Sequence, residues 1–404
     1  MRILLIHQAF VSPGEAGGTR HFEFGQRLAK VGHDLTIIAS DRSYITGERI
    51  GRHGEEEVIK GVRVLRAYTH PNLHRSFVWR VFSFLTFMVS SAWKGMRAGP
   101  VDVVMGTSPP IFQAVSAWVI AALRRRPFLL EIRDLWPEFA VDLGVLRNPV
   151  LIYLSRRLES FLYRRATHIL VNSPAYRDYL VRKGVPDCKV SLIANGVDPD
   201  LFDPEARGEE LRARWNLGID FVATYAGALG LANDIPTILR AAARLRDEAG
   251  IRFLLVGDGK ERPNLERMAA ELSLGNVTFT GAVPKSQIAE VLAASDACLA
   301  TLQDIPMFRT TYPNKVFDYM AAGRPTVLAI DGVIRELVEA CKGGLFVTPS
   351  KPELLADAVL QLARAPERAR AMGRAARRYV AENFHRDHQA RQFVELVERL
   401  AQTA

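Results

Sequence analysis

Cysteine is scarce in this sequence of 404 residues, which contains only Cys188, Cys298 and Cys341, far apart from one another. So few thiols, in an odd number, exclude a disulfide framework and a four-cysteine metal site, and they indicate a reducing compartment. The opening MRILLIHQAF lacks the longer apolar stretch and the small-residue cleavage site of a signal peptide. We therefore expect this opening to form a first strand.

Two common nucleotide-binding loops are also absent. No G-x-G-x-x-G fingerprint occurs, since Gly257-Asp-Gly259 continues to Arg262 where the third glycine would stand. No Walker loop occurs either. The missing fingerprint argues against a nicotinamide enzyme, because those glycines let the backbone approach the pyrophosphate.

What the sequence does contain is a regular alternation of short apolar runs and helical patterns. Apolar residues make up 48% and charged residues 24%, which suits well-filled cores, and the length suggests two or three domains. The Gly-, Pro- and Asp-rich stretch 195–204 separates two blocks. Alternating strands and helices predict parallel sheets covered on both faces, hence two doubly wound α/β domains, residues 1–198 and 199–383. The predicted strands are 2–7, 33–40, 62–67, 101–106, 128–133, 168–172, 189–194, 221–226, 253–256, 277–280, 297–301, 326–330 and 344–347.

Positive charge is concentrated in the first half of the chain. Residues 1–198 hold 27 Lys or Arg against 17 Asp or Glu, whereas residues 199–404 hold 26 against 27. Within the first half, residues 58–100 contain seven basic residues and no acid. This asymmetry predicts an anionic partner, namely a membrane surface, a phosphate-bearing substrate or a nucleic acid.

The basic stretch includes an apolar helical pattern, SFVWRVFSFLTFMVSSAWK (76–94). Its polar residues recur in steps of three and four, which places them in one stripe: Ser76, Arg80, Ser83, Thr86, Ser90, Lys94 and Arg97. The uncharged run 81–93 is shorter than the roughly 20 residues that span a bilayer. The pattern fits a helix in the interface of an anionic membrane and also an ordinary helix that covers a sheet. The absence of acid over residues 58–100 favours membrane contact.

Two loops have the composition of a phosphate site. Gly14-Glu-Ala-Gly17-Gly18-Thr19-Arg20 follows the first strand and opens a helix, where backbone N–H groups approach an anion, although such turns are commonplace. In TTYPNKVFDYMAAG (310–323), Asn314 suits an N-cap, and the turn from Asn314 to Val316 with Lys315 suits a diphosphate. Asp318 lies about one turn further on, where it would bind sugar hydroxyls or merely complement the helix dipole.

The chain resembles the retaining GT-B glycosyltransferases of family four, a group that includes sucrose synthase and bacterial mannosyltransferases. The resemblance covers essentially the whole length. The matching segments are GGTRHFEFGQRLAKVGHDLTII (17–38), NSPAYRDYLVRKGVP (172–186), IANGVDPDLF (193–202), VGDG (256–259), TGAVPKSQIAEVLAASDACL (280–299) and PNKVFDYMAAGRPTVL (313–328). TSPP (107–110) and EIRDLWPE (131–138) resemble the branch that makes bacterial surface polysaccharides, including N-acetylfucosamine-type transferases.

The resemblance implies a GT-B fold, in which two Rossmann-like domains face each other across a deep cleft. The N-terminal domain would bind the acceptor, and the C-terminal helix, 384–404, would pack back on it. The C-terminal domain would bind a nucleotide-sugar, with Asp318 at the ribose and the backbone near Val283 at the base. The other donor-binding residues implied are Gly17, Gly18, Gly259, Asn314, Lys315 and Val316.

Two departures from the family pattern change the expected charges of the site. The family signature places Glu at both ends of a seven-residue spacer, whereas Thr310 and Asp318 stand here. The usual Arg and Lys are missing from residues 227–234. The cations available as replacements are Lys260, Arg309 and Lys315. We hypothesise that these three stabilise the leaving diphosphate.

Asp134, which follows the strand 128–133, is the candidate for orienting acceptor or donor hydroxyls, and its alternative role is capping the next helix. No metal or cofactor is expected, because helix N-termini and cations suffice for the leaving charge. Asp198-Pro-Asp200 resembles a metal-binding Asp-x-Asp only superficially, since it lies in the linker. His7 and His21 are left outside the site, because a histidine at a strand end is more often structural.

Together these features predict a retaining glycosyltransferase that moves a sugar from a UDP-linked N-acetylhexosamine or deoxyhexosamine to a lipid-linked saccharide in surface-polysaccharide synthesis. We expect a cytoplasmic enzyme associated peripherally with the inner face of the cell membrane. No nucleic acid partner is expected, because the basic stretch lacks a reading motif. The alternatives are a sugar-nucleotide epimerase or phosphorylase on the same frame and a non-catalytic membrane- or nucleic-acid-binding protein.

Overall fold

The computed structural model describes residues 1–12, 18–44, 47–50, 56–72 and 75–402, apart from the side chain of Phe77. The chain forms two compact units. Among the described residues, unit 1 comprises those within Met1–Ser12, Thr19–Ala194 and 387–402, and unit 2 comprises Gly18 and Asn195–Arg386. Within the described ranges, none of the helices combines the length and the apolar character needed to cross a bilayer.

Unit 1 is built on one eight-stranded sheet. Its strands are β1 (Arg2–Ile6), β2 (Asp34–Ser40), β3 (Glu56–Ile59), β4 (Val62–Ala67), β5 (Val103–Ser108), β6 (Phe128–Ile132), β7 (His168–Val171) and β8 (Val190–Leu192). They lie in the order β3-β4-β2-β1-β5-β6-β7-β8, and every neighbouring pair is parallel except β3 with β4.

Strand β3 was not predicted. It has only four residues, and two of them are charged, so it lacks the apolar run of the other strands. It joins β4 through Lys60 and Gly61, whose φ angles of 48° and 84° are both positive. Two such residues form the tight turn whose twist suits an antiparallel hairpin, which is why β3 is the one antiparallel strand described in this sheet.

The helices of unit 1 lie on both faces of the sheet. The first six are α1 (Arg20–Lys30), α2 (Phe77–Met96), α3 (Ile111–Arg124), α4 (Glu138–Asp142), α5 (Pro149–Arg165) and α6 (Pro174–Arg182). Helix α1 packs on the face that carries Leu35 and Ile37. Gly95 of α2 instead lies against Ile38 and Ile120, on the opposite face, because neighbouring strand residues alternate in direction.

Unit 2 contains six parallel strands. They are β9 (Phe221–Ala226), β10 (Ile251–Val256), β11 (Val277–Gly281), β12 (Ala297–Thr301), β13 (Thr326–Ala329) and β14 (Gly344–Phe346), in the order β11-β10-β9-β12-β13-β14. Its helices are α7 (Glu209–Arg214), α8 (Ile235–Arg244), α9 (Arg262–Glu271), α10 (Ile288–Ala293), α11 (Asn314–Ala321), α12 (Val333–Ala340), α13 (Pro352–Arg364) and α14 (Pro366–Asn383). Alternate residues of the central strands belong to two separate buried clusters, one on each face of the sheet. The predicted doubly wound α/β fold is confirmed for both units.

After Thr19, the chain passes between the units at residues 194/195 and 386/387, whereas the sequence predicted 198/199 and 383/384. Asn195 donates its side-chain amide to the carbonyl of Tyr312, at 2.7 Å. Val197 donates its N–H to Phe384, and Arg386 donates its N–H to Val197. These bonds hold the start of the linker in unit 2.

The last helix, α15 (Arg386–Gln402), packs on unit 1 for nearly all of its length. The ring of Phe393 stacks on that of Phe24 in α1, with 5.0 Å between the centroids. Leu396, Val397 and Leu400 are buried in the same cluster. The helix thus covers the α1 face of the sheet.

Each sheet has a switch point, where the chain stops winding in one direction and returns to wind in the other. In unit 1 it lies between β1 and β5, and in unit 2 between β9 and β12. Ligands of doubly wound sheets bind outside the carboxyl ends of the strands at such points. A ligand site is therefore expected at the loops after β1, β9 and β12.

We expect Gly373→Ala to destabilise unit 2. A Cβ atom at Gly373 in α14 would lie 1.9 Å from the carbonyl oxygen of Gly323, just beyond α11. Alanine favours a helix by roughly 1 kcal/mol, whereas forcing an atom against a packed backbone costs about 1–3 kcal/mol or more. The clash should dominate and lower the melting temperature of the unit 2 transition, by roughly 2–4 °C per kcal/mol, in scanning calorimetry.

Gly275→Ala is the matched control, because a Cβ atom there would meet nothing within 4 Å. It should leave the transition of unit 2 within error of the parent. A Gly373→Ala protein as stable as this control would show that α14 moves freely away from Gly323.

Candidate functional site

Helix α11 is placed at the switch point of unit 2 by contacts with the end of β9. The hydroxyl of Tyr319 accepts from the N–H of Ala226 at 2.9 Å and donates to its carbonyl at 3.2 Å. Val316 and Tyr319 are buried in the cluster that includes this end of the strand. The first turns of α11 therefore face the loop that follows β9.

The start of α11 differs from the prediction by one residue. Pro313, not Asn314, occupies the N-cap position, and no side chain caps the helix. A proline there already holds the extended φ that an N-cap requires. The N–H of Val316 donates to the carbonyl of Pro313, so Val316 contributes packing rather than a free donor. Among the described residues, no acceptor takes the N–H groups of Asn314 and Lys315.

Among the described residues, the amine of Lys315 forms hydrogen bonds only with uncharged side chains. Its Nζ donates to the hydroxyl of Tyr225 at 2.6 Å and to Oδ1 of Asn233 at 3.0 Å, and lies 4.0 Å from the centre of the Tyr225 ring. The described residues show no carboxylate paired with it. Burial lowers the pKa of Lys315 to about 7, because the ammonium loses water without gaining an opposite charge.

Glycines bring the backbones of the loops after β9 and β10 together beside this lysine. A Cβ atom at Gly257, where φ is +145°, would lie 1.8 Å from the carbonyl oxygen of Gly227. A Cβ atom at Gly227 would lie 3.0 Å from Nζ of Lys315. Both positions thus need the absence of a side chain, and the amine of Lys315 lies directly against the backbone.

Asp318 is one turn along α11, and its carboxylate forms an ion pair with Lys285. Oδ2 of Asp318 lies 2.5 Å from Nζ of Lys285, and the two side chains are 17% and 25% exposed. Lys285 begins the short 3-10 helix Lys285–Gln287, directly after Val283 and Pro284. The side chain of Val283 packs on the core of unit 2, which leaves its backbone as the group available to a ligand.

The other predicted donor-site residues are less closely joined. Gly17 lies outside the described residues, whereas a Cβ atom at Gly18 would be 3.6 Å from Nδ2 of Asn314. Gly259 donates its N–H to Oδ1 of Asp258 at 2.7 Å, and Lys260 is exposed. Their roles stay predictions.

Arg309 points to acidic neighbours rather than to Lys315. Its guanidinium lies 3.4 Å from Asp304 and 4.0 Å from Asp331, with the side chain 52% exposed. Within the described part of the chain, no contact joins Arg309 to Lys315. The shared role in neutralising a diphosphate therefore stays a prediction for Arg309, with a geometric basis only for Lys315.

Sequence reasoning missed the partners of Lys315 and Asp318. Tyr225 appears as an ordinary residue of a buried strand, and Asn233 as part of a loop noted only for its lack of cations. Lys285 lies in a matching segment, but nothing in its spacing points to Asp318. A search for cations near the segment expected to meet the base would have found Lys285.

Unit 1 holds a buried ionic cluster at its own switch point. Glu131 of β6 accepts from Arg20 at 3.0 Å and lies 2.5 Å from Nε2 of His21. Arg20 also donates to the carbonyls of Ile193 and Ala194, each at 2.7 Å. Burial alone would raise the pKa of Glu131, but the nearby positive charges outweigh it, so the pKa lies well below its usual range.

His7, at the end of β1, is buried beside this cluster. Its Nε2 lies 2.8 Å from the guanidinium of Arg133, and its ring meets that of His21 edge to face. Burial, with the charges of His21 and Arg133, lowers the pKa of His7 well below its ordinary value. A neutral His7 that accepts from Arg133 is a structural contact.

Asp134 follows β6 directly and has an exposed side chain. The hydroxyl of Tyr176 lies 3.5 Å from its Oδ1. It does not cap the next helix, because Pro137 holds the N-cap position of α4. The capping alternative is therefore wrong, and the role of Asp134 in orienting hydroxyls stays a prediction.

The Asp198-x-Asp200 motif lies next to His385, and one potential ligand atom of each is within 4.8 Å of the others. The side chain of Asp198 also accepts from the N–H of Asp200, which closes a short 3-10 turn. Exposed carboxylates commonly gather without a metal. The expectation that no metal is required remains a prediction.

Two Rossmann-like units with parallel sheets define the architecture of the GT-B glycosyltransferases. The chain belongs to this class. Residues 17–196 match the glycosyl transferase 4-like domain, and residues 220–365 match the glycosyl transferases group 1. The protein is therefore a glycosyltransferase with a fold of the sugar-nucleotide-dependent type.

Known proteins resemble the chain over nearly its full length. A GDP-mannose-dependent alpha-mannosyltransferase of Mycobacterium tuberculosis is 25% identical over 371 residues, 91% of this chain and 89% of that protein. WcaI of Escherichia coli, a glycosyl transferase assigned to colanic acid biosynthesis, is 24% identical, covering 97% of this chain and 98% of that protein. The structure of Anabaena HepE with UDP-glucose matches with a TM-score of 0.74 and 18% identity, over 99% of this chain and 100% of that one, which shows the fold alone.

The affinity for a nucleoside diphosphate should depend on pH through Lys315. A bound diphosphate would raise the pKa of this amine above the value of about 7 that burial sets in the free protein. The amine is charged below pH 7, so the affinity for UDP should be highest there. It should fall as the pH rises through 7, by up to about tenfold per pH unit until the pKa of the complex is passed. Titration calorimetry from about pH 6.5 to 9 measures this slope.

Lys315→Met should flatten the slope, since the ionisation of UDP itself affects both proteins equally. Lys351→Met, at an exposed lysine of the same unit, is the matched control and should keep it. A slope that survives in Lys315→Met would assign the pH dependence to another group.

Proposed function

We propose that the enzyme transfers a sugar from a UDP-linked N-acetylhexosamine or deoxyhexosamine to a lipid-linked saccharide, with retention of anomeric configuration. The observation that carries the proposal is Lys315, a cation with neutral partners beside the first amides of a helix at the switch point. Helix-terminal N–H groups and a cation together suit a diphosphate. HepE, a protein of the same fold, was solved with UDP-glucose.

We assign the carboxylate of Asp318 to the ribose of the same nucleotide. It lies three residues after Lys315, about 4.5 Å further along the helix axis. Its ion pair with Lys285 engages Oδ2 and leaves its second oxygen for a sugar hydroxyl. A nucleotide would then lie along α11, with the diphosphate at the N-terminus and the ribose one turn beyond.

Lys315 also compensates for the loop that lacks the usual Arg and Lys. Its amine donates to Tyr225 at the end of β9 and to Asn233 at the end of that loop. A positive charge from α11 therefore lies beside the loop that has no cation of its own. Lys260 remains a further candidate cation, because it lies in the next loop. This arrangement supports the hypothesis that other cations replace the missing pair.

The chemistry proposed needs charge stabilisation more than proton transfer by the protein. The bond between C1 of the sugar and the diphosphate oxygen breaks, and negative charge develops on the diphosphate, where Lys315 and the α11 amides stabilise it. One such donor is typically worth roughly 3–4 kcal/mol in the transition state. The acceptor oxygen bonds to C1 on the same face, and its proton passes to the departing phosphate oxygen. Asp134 is proposed to orient the hydroxyls.

The likeness to WcaI favours a role in making a polysaccharide, but the named relatives do not agree on one donor for this enzyme. WcaI is assigned to colanic acid biosynthesis, whereas the Mycobacterium tuberculosis relative uses GDP-mannose. The likeness to N-acetylfucosamine-type transferases favours a UDP-linked donor here. Thermal-shift measurements with UDP-, GDP- and ADP-sugars distinguish these donors.

Asp318→Asn should weaken UDP binding about tenfold or more, since a hydrogen bond to a charged group is worth roughly 1.5–3 kcal/mol. The loss should be much smaller for 2′,3′-dideoxy-UDP, because the ribose hydroxyls are the groups that the carboxylate binds. Titration calorimetry with both ligands gives the comparison. Asp357→Asn, at an exposed acid on α13, is the control. Equal losses with both ligands would place the ribose elsewhere.

The transfer reaction is tested by following a UDP-sugar by NMR with and without a lipid-linked acceptor. We expect UDP release that depends on the acceptor, a product with the anomeric configuration of the donor, and no loss of activity in EDTA. Conversion of the sugar without acceptor would identify an epimerase. Activity that EDTA abolishes would overturn the expectation that no metal is needed.

A further inference from the structure

The middle of the polar stripe of α2, from Ser83 to Lys94, faces the protein rather than solvent, whereas Ser76 and Arg97 at its two ends are exposed. Ser83 donates to the carbonyl of His70 at 2.9 Å, Ser90 to that of Tyr68 at 2.7 Å, and Lys94 to that of Arg66 at 2.9 Å. Thr86 accepts from the N–H of His70 at 3.1 Å. These side chains thus supply hydrogen-bond partners for backbone groups at the end of β4 and in the extended segment that follows it.

As a result, a continuous apolar stripe of α2 faces outward. Its members recur in steps of three and four, which places them on one side of the helix, and each is between 37% and 73% exposed: Val78, Phe82, Leu85, Val89, Trp93 and Met96. The inward side carries the fully buried Phe87 and Ser91. This polarity is the reverse of that of an ordinary surface helix, which turns its apolar face to the core.

The stripe borders a groove that is also mostly apolar. The groove has a volume of about 950 Å³, with Phe82, Leu85, Val89 and Trp93 of α2 on one side and Leu65 and Tyr68 on the other. Contiguous exposed apolar surface of this kind marks a protein or membrane interaction site.

The charges around the stripe are positive. Helix α2 contains no acid, and the guanidinium of Arg97 lies 3.7 Å from the centre of the exposed Trp93 ring. Lys94 and Arg63 line the groove, and its one acid, Glu56, is paired with Arg63 at 2.6 Å. Neighbouring Trp and Arg side chains are typical of helices at a membrane interface. In such helices the apolar part of each side chain enters the lipid and the polar tip stays in water.

We propose that the outward stripe of α2 docks the enzyme on an anionic lipid bilayer, with the helix lying in the plane of the interface. The charge pattern selects this partner over a second copy of the chain, because a twofold contact would set α2 against α2 and bring like charges together. An anionic leaflet instead attracts the cations while the acyl boundary takes up the apolar side chains. The inference rests on the geometry of α2 and goes beyond the transfer reaction.

Co-sedimentation with vesicles tests this proposal. The full-length enzyme should bind phosphatidylcholine vesicles that contain about 30 mol% phosphatidylglycerol and should bind pure phosphatidylcholine far less. The double variant Val89→Asp/Trp93→Asp should lower the partition coefficient at least tenfold. Both positions are well exposed, at 66% and 62%, so the substitutions should leave the melting temperature unchanged.

Val31→Asp is the matched control, since Val31 is 57% exposed and ends α1, on the opposite face of the sheet. It should bind vesicles as the parent does. Arg97→Gln should reduce the preference for the anionic vesicles while keeping part of the binding. UDP affinity, measured in parallel, should be equal in all four proteins, so a failed donor site and a failed membrane surface give different results.

Three outcomes would overturn the proposal. The parent enzyme binds neither kind of vesicle; the double variant binds as well as the parent; or light scattering shows a dimer of the parent that the double variant dissociates, which would make a second copy the partner.

Discussion

A lysine amine held against two neutral oxygens is the interaction on which the proposed donor site of unit 2 depends. Lys315 donates to Tyr225 and Asn233, and burial lowers the pKa of its amine to about 7. An ammonium that loses water without a counter-charge is destabilised. In the proposed function, an arriving diphosphate would reverse that effect, so the site would favour a doubly charged ligand over a neutral sugar before any specific contact to the sugar forms.

Much of unit 2 serves to keep this amine in place. The hydroxyl of Tyr319 joins α11 to the end of β9, and the glycines at 227 and 257 let two loops approach backbone to backbone. A side chain at Gly257 would push the two loops apart, and one at Gly227 would meet the amine of Lys315 directly. The packing at this switch point is therefore also what sets the electrostatics of the site.

The alternation of strands and helices was readable in the sequence because buried parallel strands are short, apolar and well separated. The charged hairpin strand β3 was not, since its signal lies in the turn at Lys60 and Gly61 rather than in apolar residues. In the site, Lys315 and Asp318 could be proposed from their place after Pro313. Their partners could not, because Tyr225 and Lys285 come from segments about 90 and 30 residues away in sequence and meet α11 only in the fold.

Helix α2 shows a different limit of sequence reasoning. The spacing revealed a polar and an apolar stripe, but not which of them faces inward. Hydrogen bonding of the backbone decides this. Residues 68–70 continue beyond the end of β4, and the carbonyls of Tyr68 and His70 need hydrogen-bond donors. The hydroxyls of α2 supply those donors only when its polar stripe faces the protein. The outward position of the apolar stripe therefore follows from hydrogen bonding at the end of β4, and it makes this face of unit 1 suited to a nonaqueous partner.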